Sequence, residues 1–235
     1  MAGGKESPRQ KMIGMMYLVL TALLALQVSS AIIQKFKFLD DSLQVAKNSA
    51  EKINGQTKQK IQKAVGDAGN KASDVAILTK AEKVRAETSK VIAMLDKLRS
   101  ELIETTGGRE EDGSYKGAKE ETAVEVIMVG PEGSKKGKGY VLQQELNNYS
   151  KNLSQIVGEK SLPYTPLALD GKDDVSFKND KEQKNKDFAN LNFAQTPMVA
   201  ALAVISTKQA EVLKLESLAL EDLASEVGAE TIKFD

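Results

Sequence analysis

Cysteine, histidine and tryptophan are all missing from the 235 residues, and each absence closes off some chemistry. Without cysteine there are no disulfides and no thiolate nucleophile; without histidine there is no imidazole metal ligand and no Ser-His-Asp relay. Aromatic residues are scarce, at 5%. A core must therefore be built from Leu, Val, Ile, Ala and Met, a composition that suits helices better than sheets. A surplus of either charge is missing too: 33 Lys and Arg face 33 Asp and Glu, which argues against a nucleic-acid partner. No catalytic constellation, metal set or cofactor motif stands out, so the chain reads as a non-enzyme with no metal and no cofactor.

What is present is concentrated at the start. Met12 to Ile33 runs 22 residues without a charge, about 33 Å as a helix at ~1.5 Å per residue, against a hydrocarbon layer of roughly 30 Å. The spacing predicts a transmembrane helix over 12–33. Just upstream, Ser7 is placed as N-cap, Pro8 as first helical residue and Gln10 at the capping-box position. A rival reading is a cleaved signal peptide, with Lys5, Arg9 and Lys11 as its basic region and Ser29-Ser30-Ala31 as the cleavage site. Against it, Ile32, Phe36, Leu39, Leu43, Ala46, Ala50 and Ile53 form a seven-residue stripe whose first turn cleavage would remove. The basic arm 1–11 is expected to stay in the cytoplasm, with everything from about residue 34 translocated.

Within this segment Tyr17, Thr21 and Gln27 are polar, and polar groups in lipid tend to face other helices. The alternatives are an interfacial anchor for Tyr17 and bonds to their own backbone for the others. No Asp or Glu occurs between Glu6 and Asp40, so the helix cannot carry a proton on a carboxylate of its own. Arg9, about one turn outside the hydrocarbon edge, is either a plain topology signal or a fixed counter-charge for an acid on a neighbouring helix.

Helical periodicity continues to about Val65, then over Ser73–Glu104, Tyr140–Val157 and from Thr196-Pro197 to Gly228, where Thr196 is expected as cap and Pro197 as first residue. Lengths of this kind suit an extended all-α bundle over 34–228. TAVEVIMVG, 122–130, is ambiguous between a strand and a helical turn. GPEGSKKGKG fails as a phosphate-binding loop, because Glu132 stands where its first Gly belongs and Gly139 where Ser or Thr should be. That loop, 107–121 and 162–192 read as polar surface connections.

The opening AGGK-x-SPRQKM with MYLVLTALLAL, and the segment TPMVAALAVISTKQAEVLKLE, resemble the GldM/PorM family of the Bacteroidetes type IX secretion and gliding machinery. One departure is Gln27, where the family pattern leads us to expect Asn; the amide is kept. The resemblance implies an inner-membrane, single-pass homodimer whose helices sit inside a ring of GldL-type subunits, driven by the proton-motive force. It also implies contact with an outer-membrane-associated GldK/GldN-type ring through β-sandwich domains that follow the bundle. The alternating residues at 229–235 look like the first strand of such a domain, which would make the chain the N-terminal part of a longer protein. Since the span lacks an acid, a titrating carboxylate must come from the partner, with Arg9 as its contact. Competing readings are a single-span periplasmic sensor and a secreted helical adhesin.

Overall fold

A computed structural model describes the backbone of residues 8–229 and, within it, every side chain except those at 8 and 22–29. Ser7 and the strand expected at 230–235 lie outside the described residues. Among the described residues six α-helices follow in order: α1 (Pro8–Asp67), α2 (Ala72–Thr105), α3 (Thr122–Met128), α4 (Lys138–Val157), α5 (Phe188–Phe193) and α6 (Met198–Glu226). No strand occurs among the described residues, and the all-α class holds. The ambiguous 122–130 stretch is the short helix α3. At its opposite end the fold corrects one cap: Pro197 is the N-cap of α6 itself, with extended ψ, and Thr196 turns its hydroxyl to the Ala194 carbonyl instead.

The periodic residues do close the core where α2, α4 and α6 meet. Ala81, Val84, Val91, Leu95, Leu98 and Leu102 from α2 and Leu142, Leu146, Tyr149 and Leu153 from α4 are buried. Both sets pack on α6, which is buried around most of its circumference, as the central helix of a bundle must be.

Side-chain pairing fixes the directions. Asp40 and Asn54 of α1 meet Ser206 and Glu216 of α6 in the same order, so these two helices run parallel. Arg99 and Arg85 of α2 meet the same two positions in reverse order, so α2 descends. Thr88 of α2 pairs with Tyr149 of α4, and Glu101 with Lys138, so α4 ascends again. The bundle is up, down, up, up. Four antiparallel helices would bring the chain back to its starting end; here α6 finishes at the end opposite the α1 N-terminus.

That topology requires a long return, and the stretch read from sequence as a polar surface connection supplies it. Residues 163–170 run down α4 as a strap: Ser150 donates to the Thr165 carbonyl, Asn147 binds the backbone of Leu167 and Ala168, and Gln143 donates to Asp170. The strap ends in α5, whose Phe188 and Phe193 rings are buried edge to face at 6.2 Å. The segment is therefore partly core, not only surface. The glycines of GPEGSKKGKG also have a packing role: a Cβ on Gly137 would lie 2.2 Å from the Met128 carbonyl oxygen, so the loop lets α4 start hard against α3.

Among the described residues no helix is long and apolar enough to cross a membrane. The crossing expected at 12–33 has its central part in 22–29, outside the described side chains, and gains no support here. Its backbone is nonetheless one with the bundle. At ~1.5 Å per residue, α1 is about 90 Å long and runs without a break from Pro8 into the core at Ile61 and Val65.

Candidate functional site

The apolar stripe of α1 is only partly covered, with Phe36 and Ala50 against the core and the rest turned more to the outside. Ile32 and Leu39 are each 46% exposed, and beside them Phe38 is 75% and Val45 67% exposed. Phe36, Leu43, Ala50 and Ile53 are only partly covered. The face that α1 does turn inward carries Asp40, Lys47, Asn54 and Thr57, all buried. Burying such groups is costly unless each is paired, and almost every polar atom on this face is.

Asp40 is fully buried and held on both oxygens. Arg99 of α2 donates to Oδ1 and Oδ2 at 2.6 and 2.9 Å, the two-pronged geometry that guanidinium and carboxylate favour. The same guanidinium donates to the Leu202 carbonyl at 2.9 Å, and Ser206 of α6 shares the knot at 2.5 Å from Asp40. Tyr115, from the α2–α3 connection, closes the open side with its hydroxyl, and Arg109 stacks over its ring at 4.3 Å. The connection also reaches α1 through Lys119, which donates to Ser30.

Seven residues further along α1, Lys47 donates to both oxygens of Asp96 on α2 at 2.8 and 2.9 Å. Gln209 of α6 donates to Asp96 as well, and Gln44 bridges Gln209 to Ser206, tying this pair to the first knot. Another seven residues on, Asn54 donates to Glu216 of α6 at 2.7 Å and to the Leu213 carbonyl at 3.0 Å. Arg85 of α2 donates to the other Glu216 oxygen at 2.9 Å. Burial pushes the Glu216 carboxyl above the ordinary glutamate range in spite of that guanidinium. Nearby, burial likewise raises the Tyr149 phenol, which shares a hydrogen bond with Thr88 and donates to the Val212 carbonyl. On this face of α1 one side-chain atom, Asn54 Oδ1, is buried with no partner among the described residues.

The residues singled out from sequence lie elsewhere. Arg9, Tyr17 and Thr21 are exposed on the N-terminal part of α1, and the fold does not bring them together with the buried seam. The Thr21 hydroxyl donates to the Tyr17 carbonyl at 2.7 Å, the bond to its own backbone that was one of the two readings. The Gln27 side chain lies outside the described residues. Among the described residues no group of three or more acidic side chains could hold a metal ion.

A family model for the GldM N-terminal domain matches residues 31–226. The match begins where α1 enters the bundle and ends with the last residue of α6. The chain belongs to the GldM family. Among curated proteins no match was found. Membership makes it a component of the membrane-associated gliding and type IX secretion machinery, and the GldM domain is the whole bundle, with the polar seam running through it.

Proposed function

We propose that this GldM-family chain is a subunit of an inner-membrane motor, driven by the proton-motive force, that carries mechanical energy across the periplasm to power secretion and gliding. The observation that carries the reading is the continuity of α1, one helix that joins the uncharged run to the bundle. In this reading residues 12–33 cross the inner membrane once, the arm 1–11 stays in the cytoplasm, and 34–228 stand in the periplasm. Cleavage near Ser29-Ser30-Ala31 would sever the helix that anchors the domain, which weighs against a released adhesin. The parallel course of α1 and α6 supports a projecting shaft, because the chain leaves the bundle at the far end from the membrane. Domains following there would reach an outer-membrane-associated ring.

The exposed stripe of Ile32, Leu39, Phe38 and Val45 supports a homodimer, since a heptad-spaced apolar face on a helix is covered by a second helix of the same kind. A span without acids needs a titrating carboxylate from a second subunit, of the GldL type, and Arg9 is its contact. Protonation discharges that acid and releases Arg9, and ring and dimer step past one another. Arg9→Ala is expected to abolish secretion and gliding while the protein remains at normal abundance in the membrane. Unimpaired secretion and gliding in that variant would remove Arg9 from the coupling step.

A further inference from the structure

A helix that carries torque or thrust must not slide or turn in its socket, and apolar packing alone resists this poorly because hydrophobic burial has no direction. The α1 socket is built otherwise. Asp40, Lys47 and Asn54 stand at intervals of seven residues on one face, and each is gripped from both α2 and α6 or through a partner those helices share. The three differ in charge: acid, base, neutral amide. Their sockets differ in the complementary sense, with Arg99 opposite the first, Asp96 opposite the second and the Glu216–Arg85 pair opposite the third.

The sequence of charges rejects the nearest wrong registers. A slip of one heptad, about 10.5 Å at ~1.5 Å per residue, would carry Lys47 into the place of Asp40 and set it against Arg99. A slip in the other direction would carry Asp40 into the place of Lys47 and set it against Asp96. Either move buries like charges together and leaves a buried partner unpaired. Rotation is blocked at the Asp40 knot, since a two-pronged guanidinium grip holds only in one plane and Ser206 fixes that plane from α6.

We infer that Asp40 and Arg99, with Ser206, are positioning residues that lock the register and rotation of α1 on the bundle, so that motion of the membrane helix passes into the periplasmic domain without slip. This rests on the reading of the chain as a transmitting subunit, but the lock itself is measurable without it. Buried ion pairs replaced by apolar residues of similar volume often leave a protein as stable or more so, which separates locking from stability.

The test uses the full chain in membranes, with Asp40→Leu and Arg99→Met combined. The chain has no cysteine, so spin labels on Asn48→Cys of α1 and Leu218→Cys of α6, both exposed, report the α1–α6 distance within one copy when the labelled protein is diluted with its unlabelled, cysteine-free counterpart. The expected result is a broadened distance distribution, an unchanged or raised thermal midpoint, and a several-fold fall in gliding speed and secretion. Arg99→Lys, which keeps the charge and loses the fork, carries the same two expectations for distance and motility if the apolar pair lowers abundance. A distribution as narrow as that of the parent overturns the lock, whatever happens to motility. A broadened distribution with parental motility overturns its role in transmission. Arg9→Ala is expected to abolish motility with the distribution still narrow, so the failure of the motor reading and the failure of the lock give different results.

Discussion

The two sides of α6 are closed by opposite means. Toward α4 and the apolar stripe of α2 it packs Leu, Val, Ile and Ala against residues of the same kind, with hydroxyl bonds such as Thr88 to Tyr149 among them. Its charged contacts with α2, at Arg99, Asp96 and Arg85, lie on the side of α1. Toward α1 it meets Asp40, Gln44 and Asn54 directly and Lys47 through Asp96, while Ile32, Phe38, Leu39 and Val45 of α1 are left exposed and its apolar core contacts are concentrated at Ile61 and Val65. The first side is where the fold gets its free energy, since transfer of apolar area is the dominant favourable contribution. The second adds little net stability, because desolvation offsets much of what ion pairs return. What it adds is uniqueness of alignment, and the helix so aligned is the one that extends about 40 Å beyond the bundle at ~1.5 Å per residue.

The comparison can be broken most sharply by single truncations on each side. Arg99→Ala leaves Asp40 buried and uncompensated and is expected to cost about 3–5 kcal/mol. Leu146→Ala opens a cavity in the α2–α4–α6 core and is expected to cost about 2–5 kcal/mol. Urea unfolding measures both. The two sides part company in the repair: replacing Asp40 along with Arg99 by apolar residues restores the loss, whereas no second truncation restores Leu146. If the apolar pair were as unstable as Arg99→Ala, the seam would be a source of stability and the contrast would fail.

A smaller effect comes from Glu216, which faces Asn54 from α1, Arg85 and Thr88 from α2, and Tyr149 from α4. Its carboxyl holds a proton more tightly in the folded state than unfolded. The stability that this proton confers is complete below the unfolded glutamate value, about 4.3, and is lost as pH rises through the higher folded value. Glu216→Gln is expected to abolish that decline and to compare best with the parent near neutrality, read from unfolding free energies across the acid to neutral range. An unchanged pH slope would show that Glu216 does not set it. The smallest effect belongs to the outward stripe: Leu39→Ser should change unfolding of the bundle by no more than about 0.5 kcal/mol. The same change should weaken self-association, measured by sedimentation in detergent, if a second copy covers that face.

How much of this was legible in the sequence follows from which residues bury what. Leu95, Leu98, Leu102, Leu142, Leu146 and Leu153 announce α2 and α4 because their periodicity and their burial coincide. On α1 they diverge. The apolar repeat from Ile32 to Ile53 is the louder signal and yet is left half covered, whereas Asp40, Lys47 and Asn54, which are buried, look like solvent residues until Arg99, Asp96 and Glu216 are placed opposite them. Their own seven-residue spacing was the available clue, but Asp41 and Asn48 keep the same spacing while exposed. The strap hid for a related reason: its Gly, Lys and Asp content masks Phe188 and Phe193, and its hold on α4 runs through Ser150, Asn147 and Gln143, side chains with no pattern to read. Arg9 was legible as a charge beside the uncharged run, and its partner is sought in a different chain.

The account as a whole depends on α1 remaining intact from the cytoplasmic arm into the bundle. The most direct measurement is alkaline carbonate extraction of membranes from cells making the protein, followed by the mass of its N-terminal peptide. The predicted result is a protein retained in the membrane pellet that still carries the segment with Arg9 and the whole uncharged run. A carbonate-soluble product beginning near Ile32 would contradict it.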